Sequence, residues 1–164
     1  MHSGTMGKGD SEPKADTRKG KILYSIQEMN TTEEVARCHR VMAQLRPDYS
    51  SEAFVAQVLE QFETERYHLA AVLDGDFPLA VAGYRFARSL SWGRYLYVDD
   101  LITDDQRRSG GCGGMLLDWL GEKAKTAGCD ELHLDSGVHR YAAHRFYLTK
   151  RMEIRAHHFS LELR

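Results

Sequence analysis

The sequence predicts one globular domain of the α/β or α+β class, with helices packed against a central β-sheet. Runs of β-branched and aromatic residues, separated by turn residues, alternate with amphipathic stretches of helical period. The 164 residues are 42% hydrophobic and 28% charged, which suits a single core of ordinary size. A basic, glycine-rich segment also follows one apolar run and precedes a helical pattern, so a loop is expected to join a strand to a helix.

Composition excludes several classes of function. The net charge of −2 excludes a generally basic nucleic-acid-binding surface. No apolar run approaches the roughly 18 residues that span a bilayer, and no apolar signal core stands at the N-terminus. The three cysteines lack paired spacing and the eight histidines lack a His-Glu-x-x-His pattern. We therefore expect a cytoplasmic protein without nucleic-acid, membrane or metal partners.

The N-terminal residues 1–21 contain almost no apolar side chains, so they cannot offset the entropy lost on ordering. We expect them to form a disordered tail or to be partly a cloning remnant. Ordered structure is expected to begin with a strand at Ile22, so that the domain spans 22–164.

Two helices are predicted next. Thr31 and Glu34 have the spacing of a capping box, and the helix that they start must end near Pro47. Ser50 or Ser51 is expected to cap the second helix. Its apolar residues follow the helical period: Phe54, Val55, Val58, Leu59 and Phe62.

A β-hairpin is predicted from strands at 68–73 and 79–86, because Asp74-Gly75 is a hairpin turn signal. The segment 88–93 is a loop or a strand extension, and the apolar run that begins at Tyr95 is the next strand. A helix should then start near Gly111 and stop at Gly128.

The C-terminal part predicts a strand at 131–135, a short helix at 140–149 and a last strand from Met152. Alternation changes phase at His157-His158, which indicates a bulge or a break into two strands.

The segment 107–114, which reads RRSGGCGG, predicts a phosphorylated ligand. Glycines let backbone N–H groups approach an anion closely, and a helix N-terminus adds about half a positive charge. A nucleoside-triphosphate loop is excluded, because Gly114 and Met115 stand where lysine and a hydroxyl residue are required. A dinucleotide loop is excluded by Leu116 at the third glycine position.

The remaining pattern is Arg/Gln-x-x-Gly-x-Gly/Ala, supplied by Arg108, Gly111 and Gly113. It places a pyrophosphate on the backbone amides at the start of a helix.

With this loop and two further segments, the chain resembles the GCN5-related N-acetyltransferase (GNAT) superfamily over residues 22–164. LYVDDLIT (96–103) resembles the central fourth strand of the family. RRSGGCGGMLLDWL (107–120) resembles its pyrophosphate loop and third helix, and AHRFYLTKRMEI (143–154) resembles the stretch that carries its catalytic tyrosine. The resemblance implies a mixed sheet of six or seven strands, with a splay between strands 4 and 5, flanked by four helices.

The resemblance also implies acetyl-CoA as acyl donor, an amine acceptor and no metal. Tyr147 is then the general acid, and Asp99 or Asp100 holds the acceptor ammonium or relays its proton. Because side chains alternate along a strand, only one aspartate should face the cleft. Asp99 is the nearer match to the glutamate of the Glu-Asp pair that some members of the family have at these positions. The residues implied to bind CoA are Leu101, Ile102, Thr103, Arg107, Arg108, Ser109, Gly110, Gly111, Cys112, Gly113, Gly114 and Ser136.

Two positions depart from the family pattern. Arg151 stands where the family often has glycine, which leaves the turn geometry open, and Arg140 replaces an asparagine that precedes the tyrosine. Contacts to the pantetheine arm are expected to differ at Arg140.

Other interpretations remain open from the residues alone. Tyr147 could be a core aromatic residue, and the aspartates could be surface carboxylates at a strand end. An acidic cluster would suit a cationic acceptor such as a polyamine, an amino-acid or aminoglycoside amine, or a peptide lysine; it comprises Asp99, Asp100, Asp104, Asp105 and Asp135. The alternative functions are a noncatalytic acyl-CoA-binding sensor and a structural interaction domain. A homodimer is expected by analogy with the family.

Overall fold

A computed structural model describes residues 24–108 and 110–163 of the chain. These residues form five strands and four α-helices. In chain order they are β1 (Ser25–Glu28), α1 (Thr32–Met42), α2 (Ser51–Thr64), β2 (Tyr67–Asp74), β3 (Phe77–Ser89), β4 (Gly93–Thr103), α3 (Cys112–Thr126), β5 (Glu131–Leu134) and α4 (Tyr141–Thr149). A short 3-10 helical turn, Asp105–Arg107, follows β4. None of the described helices is long and apolar enough to cross a membrane.

The strands form one mixed sheet in the order β1-β2-β3-β4-β5. The first four strands are antiparallel, and β5 runs parallel to β4 because α3 carries the chain back across the sheet. One core lies between the sheet and α1 with α2, and a second lies between the sheet and α3. The chain is therefore an α/β domain of three layers, with buried side chains on both faces of the sheet.

The prediction of six or seven strands is wrong for the described part of the chain, where the sheet has five. Residues 152–163 do not form the expected strand, and the apolar side chains from Ile154 onward are exposed, with Phe159 at 89% and Leu163 at 87%. Arg155 contacts Glu131, and His158 contacts Asp135, through side chains. These side-chain contacts hold the segment near β5 without the backbone pairing that makes a strand.

The predicted N-terminal strand lies partly outside the described residues. A strand does open the sheet, but β1 begins at Ser25, and Tyr24 is not part of it. The predicted start at Ile22 and the predicted tail at 1–21 lie outside the described residues.

Local signals set the starts of the first two helices as predicted, whereas α1 ends at Met42, before the predicted end near Pro47. The backbone N–H groups of Asn30 and Thr31 donate to Glu34 Oε2 at 2.8 and 3.0 Å, and Thr31 Oγ1 accepts from the Glu34 N–H. The capping box is therefore formed. Ser50 caps α2 by accepting from the Ala53 N–H at 3.2 Å.

A β-bulge interrupts β4 in the middle of its pairing with β3. Tyr84 pairs with Val98 and Gly83 pairs with Asp100, so Asp99 is an extra residue on β4. The bulge reverses the alternation: Val98 and Leu101 belong to the α3 side of the sheet. Side chains after Asp99 therefore alternate in the opposite phase from those before it.

Candidate active site

A cavity of about 440 Å³ opens where β4 continues beyond the end of β5. The two strands pair from Tyr95 opposite Glu131 to Val98 opposite Leu134, and β5 then ends. From Asp99 onward, the β5-facing edge of β4 has no backbone partner among the described residues. The polar residues that line the cavity come from four segments: Gln44, Arg46, Asp99, Asp100, Asp135, His139, Arg140 and Tyr147.

Asp99 and Asp100 both line this cavity, whereas simple alternation predicted that only one would. The bulge at Asp99 is the reason, because two successive residues oppose one position on β3 and alternation fails there.

Asp99 is held by Arg85, whose Nε donates to Asp99 Oδ2 at 2.9 Å. Burial raises the pKa of the Asp99 carboxyl, and the Arg85 guanidinium opposes this shift without cancelling it. A carboxylate with a raised pKa accepts a proton more readily near neutral pH. Asp99 can therefore accept a proton from a group bound in the cavity.

Asp100 is held by two residues from other elements. Arg46 donates to Asp100 Oδ1 through Nε at 2.8 Å, and its Nη2 lies 2.7 Å from the same oxygen. The Tyr67 hydroxyl donates to Asp100 Oδ2 at 3.4 Å. Burial, followed by the charge of Asp100, raises the pKa of Tyr67, so this phenol stays protonated.

Tyr147 reaches the cavity from α4. Burial raises the pKa of its phenol, and the positive charge of Arg140 opposes the shift. A phenol with a raised pKa remains protonated at neutral pH and can donate its proton. The structure therefore brings Tyr147 to the same cavity as Asp99 and Asp100.

The end of β5 contributes Asp135 and Ser136. Asp135 accepts a hydrogen bond from the Tyr97 hydroxyl at 2.6 Å, and it lies 2.9 Å from His158 Nδ1. The Ser136 hydroxyl oxygen is buried and has no hydrogen-bond partner among the described residues. A buried hydroxyl without a partner is available to a ligand.

The glycine loop lies beyond the other end of the unpaired stretch of β4. Gly111 has a φ of 79° and makes no side-chain cap for α3. The first backbone hydrogen bond of this helix runs from the Met115 N–H to Gly111 O. The backbone N–H groups of residues 112–114 therefore make no hydrogen bond to a carbonyl of the helix. Ser109 lies outside the described residues.

Gly113 is packed directly against β4. A Cβ atom at this position would lie 2.7 Å from Thr103 Oγ1, closer than side-chain contacts allow. The close approach of this helix start to the strand requires glycine. The free N–H groups and the lack of side chains fit an anionic phosphate group at this site.

The predicted acidic cluster is largely neutralised. Asp104 is 4% exposed, and Arg40 lies 2.7 Å from its Oδ2. Asp105 forms an ion pair with Arg108. Arg108 and Arg107 are exposed beside the loop. Asp104 and Asp105 therefore stabilise the approach to the loop, and neither lines the cavity.

Sequence reasoning missed Arg46, Arg85 and Tyr67. They lie 54, 14 and 33 residues from the aspartates that they hold, so no local spacing could have indicated them. One signal was available, since Gly83 lies opposite the acidic pair on the returning strand. A glycine inside a strand often marks a close approach.

Comparison with known proteins identifies the family of the chain. The model of the acetyltransferase (GNAT) family matches residues 29–152. An uncharacterized N-acetyltransferase of Bacillus subtilis (strain 168), YhdJ, is 32% identical over 128 residues, which cover 78% of this chain and 90% of that protein.

Two solved structures share the fold. A transcriptional regulator from Bacillus halodurans C-125 superposes with a TM-score of 0.77 at 19% identity, covering 86% of this chain and 100% of that one. The aminoglycoside N-acetyltransferase AAC(6')-Iy, in complex with CoA, superposes with a TM-score of 0.75 at 13% identity, covering 87% and 95%. The family match and the Bacillus relative together show that the chain belongs to the GNAT family of N-acetyltransferases.

Proposed function

We propose that the protein transfers an acetyl group from acetyl-CoA directly to a primary amine of a small-molecule or peptide acceptor. The observation that carries the proposal is the position of the unpaired edge of β4. This edge begins at the cavity that holds Asp99, Asp100 and Tyr147, and it ends at Thr103, which contacts the glycine loop. One extended ligand could lie along it with its reactive end at the carboxylates and its phosphates at the start of α3.

The proposal assigns binding to main-chain groups. The N–H groups of residues 112–114 would hold the pyrophosphate, and Arg107 and Arg108 would add positive charge. The backbone of Leu101, Ile102 and Thr103 would pair with the amides of the donor as a neighbouring strand does. The Ser136 hydroxyl oxygen, which is buried and has no hydrogen-bond partner in the described part of the chain, would bind from the β5 side.

Acetyl-CoA would supply the activated acetyl group as a thioester. Asp99 takes the proton of the attacking amine, directly or through water, while Asp100 holds the ammonium before it loses that proton. A backbone N–H of β4 near Leu101 donates to the carbonyl oxygen as a C–N bond forms. Tyr147 donates its proton to the sulfur as the C–S bond breaks. The nitrogen releases its second proton once the C–N bond has formed, and this proton restores the Tyr147 phenol, while the proton taken by Asp99 passes to solvent.

Calorimetry with acetyl-CoA and a thiol-release assay with a broad panel of amines test the proposal. We expect binding and amine-dependent thiol release in the unmodified protein. Gly113→Ala should weaken acetyl-CoA binding by at least about 10-fold, because its methyl group meets Thr103 at the phosphate site. Gly121→Ala lies in the same helix with open space around it and should bind normally. Absence of heat with acetyl-CoA would contradict the proposal.

A further inference from the structure

The carboxylates that line the cavity are not free to receive a polycation. Asp99 pairs with Arg85 and Asp100 with Arg46, as described above. Asp135 is bound by the Tyr97 hydroxyl and by His158. A second or third ammonium of a polyamine would have to displace these partners. Each additional ammonium would cost a further existing contact, so the cavity does not favour an acceptor with several ammonium groups.

Arg140 is the cavity-lining cation that has no carboxylate at ion-pair distance within residues 24–108 and 110–163. Its backbone N–H donates to Gly137 O at 2.9 Å, which fixes the residue at the start of α4. The residue is partly buried, and its guanidinium has no ion-pair partner among the described residues. An anionic group on a ligand would supply the missing ion pair.

The position of Arg140 indicates that it binds the acceptor and not the phosphates of the donor. None of the described residues of the loop, 107–108 and 110–114, lines the cavity that contains Arg140, Asp99 and Tyr147. A group bound by Arg140 therefore shares one space of about 440 Å³ with the reacting groups. A guanidinium presents a planar fork that matches carboxylate or phosphate oxygens in pairs.

We propose that the acceptor is an amine that also carries an anionic group, either a carboxylate or a phosphate, and that Arg140 binds this group while the aspartates receive the amine. This inference rests on the proposed function of the cavity and narrows its substrate class. Arg140 then determines specificity, and acceptors with a single amine and an anion are selected over diamines.

A matched set of acceptors tests the inference in the thiol-release assay. The set comprises 4-aminobutanoate, 4-aminobutanamide, 1,4-diaminobutane and 2-aminoethyl phosphate, together with shorter and longer acid and amide pairs. We expect kcat/KM for the anionic acceptors to be roughly 30-fold higher than for their neutral and dicationic counterparts. This is the effect expected from one close charge pair between the acceptor and Arg140. The ratio between the acid and the phosphate shows which anion is preferred. Equal or better use of the amide or the diamine would overturn the inference.

Variants at two arginines of the same region provide the second arm. Arg140→Gln should bring the ratio of acid to amide close to one, mainly by raising KM for the acid, and Arg140→Lys should restore part of it. Arg145→Gln, which changes an exposed residue of α4, should leave the ratio unchanged. A loss of acetyl-CoA affinity in Arg140→Gln with an unchanged ratio would place Arg140 on the donor and refute the inference. Failure of the protein to bind acetyl-CoA would instead contradict the proposed function, and the inference with it.

Discussion

The phenol of Tyr67 occupies the space beside Gly83 that any larger residue would fill with its Cβ atom. Tyr67 crosses β3 at this point and reaches Asp100, which pairs with Gly83 across the strands. The glycine on β3 thus allows a tyrosine on β2 to hold a carboxylate on β4.

Gly83→Ala should therefore displace Tyr67 and weaken its hold on Asp100. We expect the free energy of unfolding to fall by about 1–3 kcal/mol, the usual cost of overpacking a core. Urea titration measures this change, and kcat/KM for the acetyl acceptor should fall in parallel.

Gly121→Ala is the matched control for this substitution. Gly121 lies within α3, and a Cβ atom there meets nothing within 4 Å. The same change should stabilise the protein by up to about 1 kcal/mol, because alanine favours the helix over glycine. Equal destabilisation by both substitutions would refute the steric explanation for Gly83.

The turn after α4 predicts that Arg151→Gly stabilises the protein. Arg151 has a φ of 63°, and its N–H donates to Leu148 O while the Met152 N–H donates to Tyr147 O. These two bonds form a Schellman motif, in which glycine is the favoured residue at this position. Relief of the left-handed backbone should raise the free energy of unfolding by about 0.5–1 kcal/mol.

Arg145→Gly tests the same change inside α4, where the backbone is helical. It should destabilise by about 1 kcal/mol. Thermal unfolding of both variants measures the contrast, and a loss of stability in Arg151→Gly would show that the arginine side chain contributes more than the strained backbone costs.

Asp104 should stabilise the fold in a pH-dependent way. Burial alone would raise its pKa, but the Arg40 guanidinium, the Gln106 N–H and the Gln44 amide outweigh burial and hold the pKa below the ordinary 3.8. The unfolded chain then takes up the proton first as the pH falls, so the stabilisation is present above 3.8 and is lost as pH falls through the folded pKa.

We expect Asp104→Asn to cost about 2 kcal/mol at neutral pH, since it weakens several hydrogen bonds to a charged, buried group. The difference from the unmodified protein should shrink in acid. Asp105→Asn, at an exposed neighbour, should cost well under about 1 kcal/mol. A difference that stays constant down to the most acidic pH would contradict the role of the Asp104 charge.

Tyr147→Phe should lower turnover by roughly 100-fold or more while acetyl-CoA affinity is kept, because it removes only the hydroxyl that we propose as the proton donor. The pKa of this phenol is raised by burial, so the protein should stay active through neutral pH and lose activity when the pH rises far enough to deprotonate Tyr147.

A pH profile of kcat for both proteins separates the role of Tyr147 from packing. The alkaline loss should be absent from the residual activity of the variant. Tyr141→Phe, at an exposed tyrosine of the same helix, should retain full turnover. Unchanged turnover in Tyr147→Phe would remove this residue from the mechanism.

Local signals in the sequence predicted much of the fold. The capping box at Thr31, the hairpin signalled by Asp74-Gly75 and the start of α3 at the glycine loop each depend on residues that are close in the chain, and the structure contains all three. The turn itself is one residue later than the signal, because Asp74 pairs with Phe77 and the linking residues are Gly75 and Asp76. The predicted C-terminal strand failed because alternation shows only that a segment could pair. In the described structure, residues 152–163 pair with no neighbouring strand.

The composition of the candidate site was predicted better than its electrostatics. The motifs indicated Asp99, Asp100 and Tyr147, which line one cavity. Alternation along β4 nevertheless failed at the bulge, and the arginine partners of the aspartates come from distant elements. The aspartates in the sequence therefore suggested an acidic cleft. In the folded protein, arginine side chains offset most of the negative charge of the cavity.

The unpaired edge of β4 has a consequence for the lifetime of the protein as well as for catalysis. If the acetyl donor binds along this edge, it acts as a missing strand, and the folded state gains RT ln(1 + [L]/Kd), or about 2.7 kcal/mol at a concentration of 100 Kd. Because small gains in stability change how much protein escapes degradation, a cell rich in the donor would keep more of this enzyme. Supply of the substrate would then regulate the amount of catalyst as well as its rate.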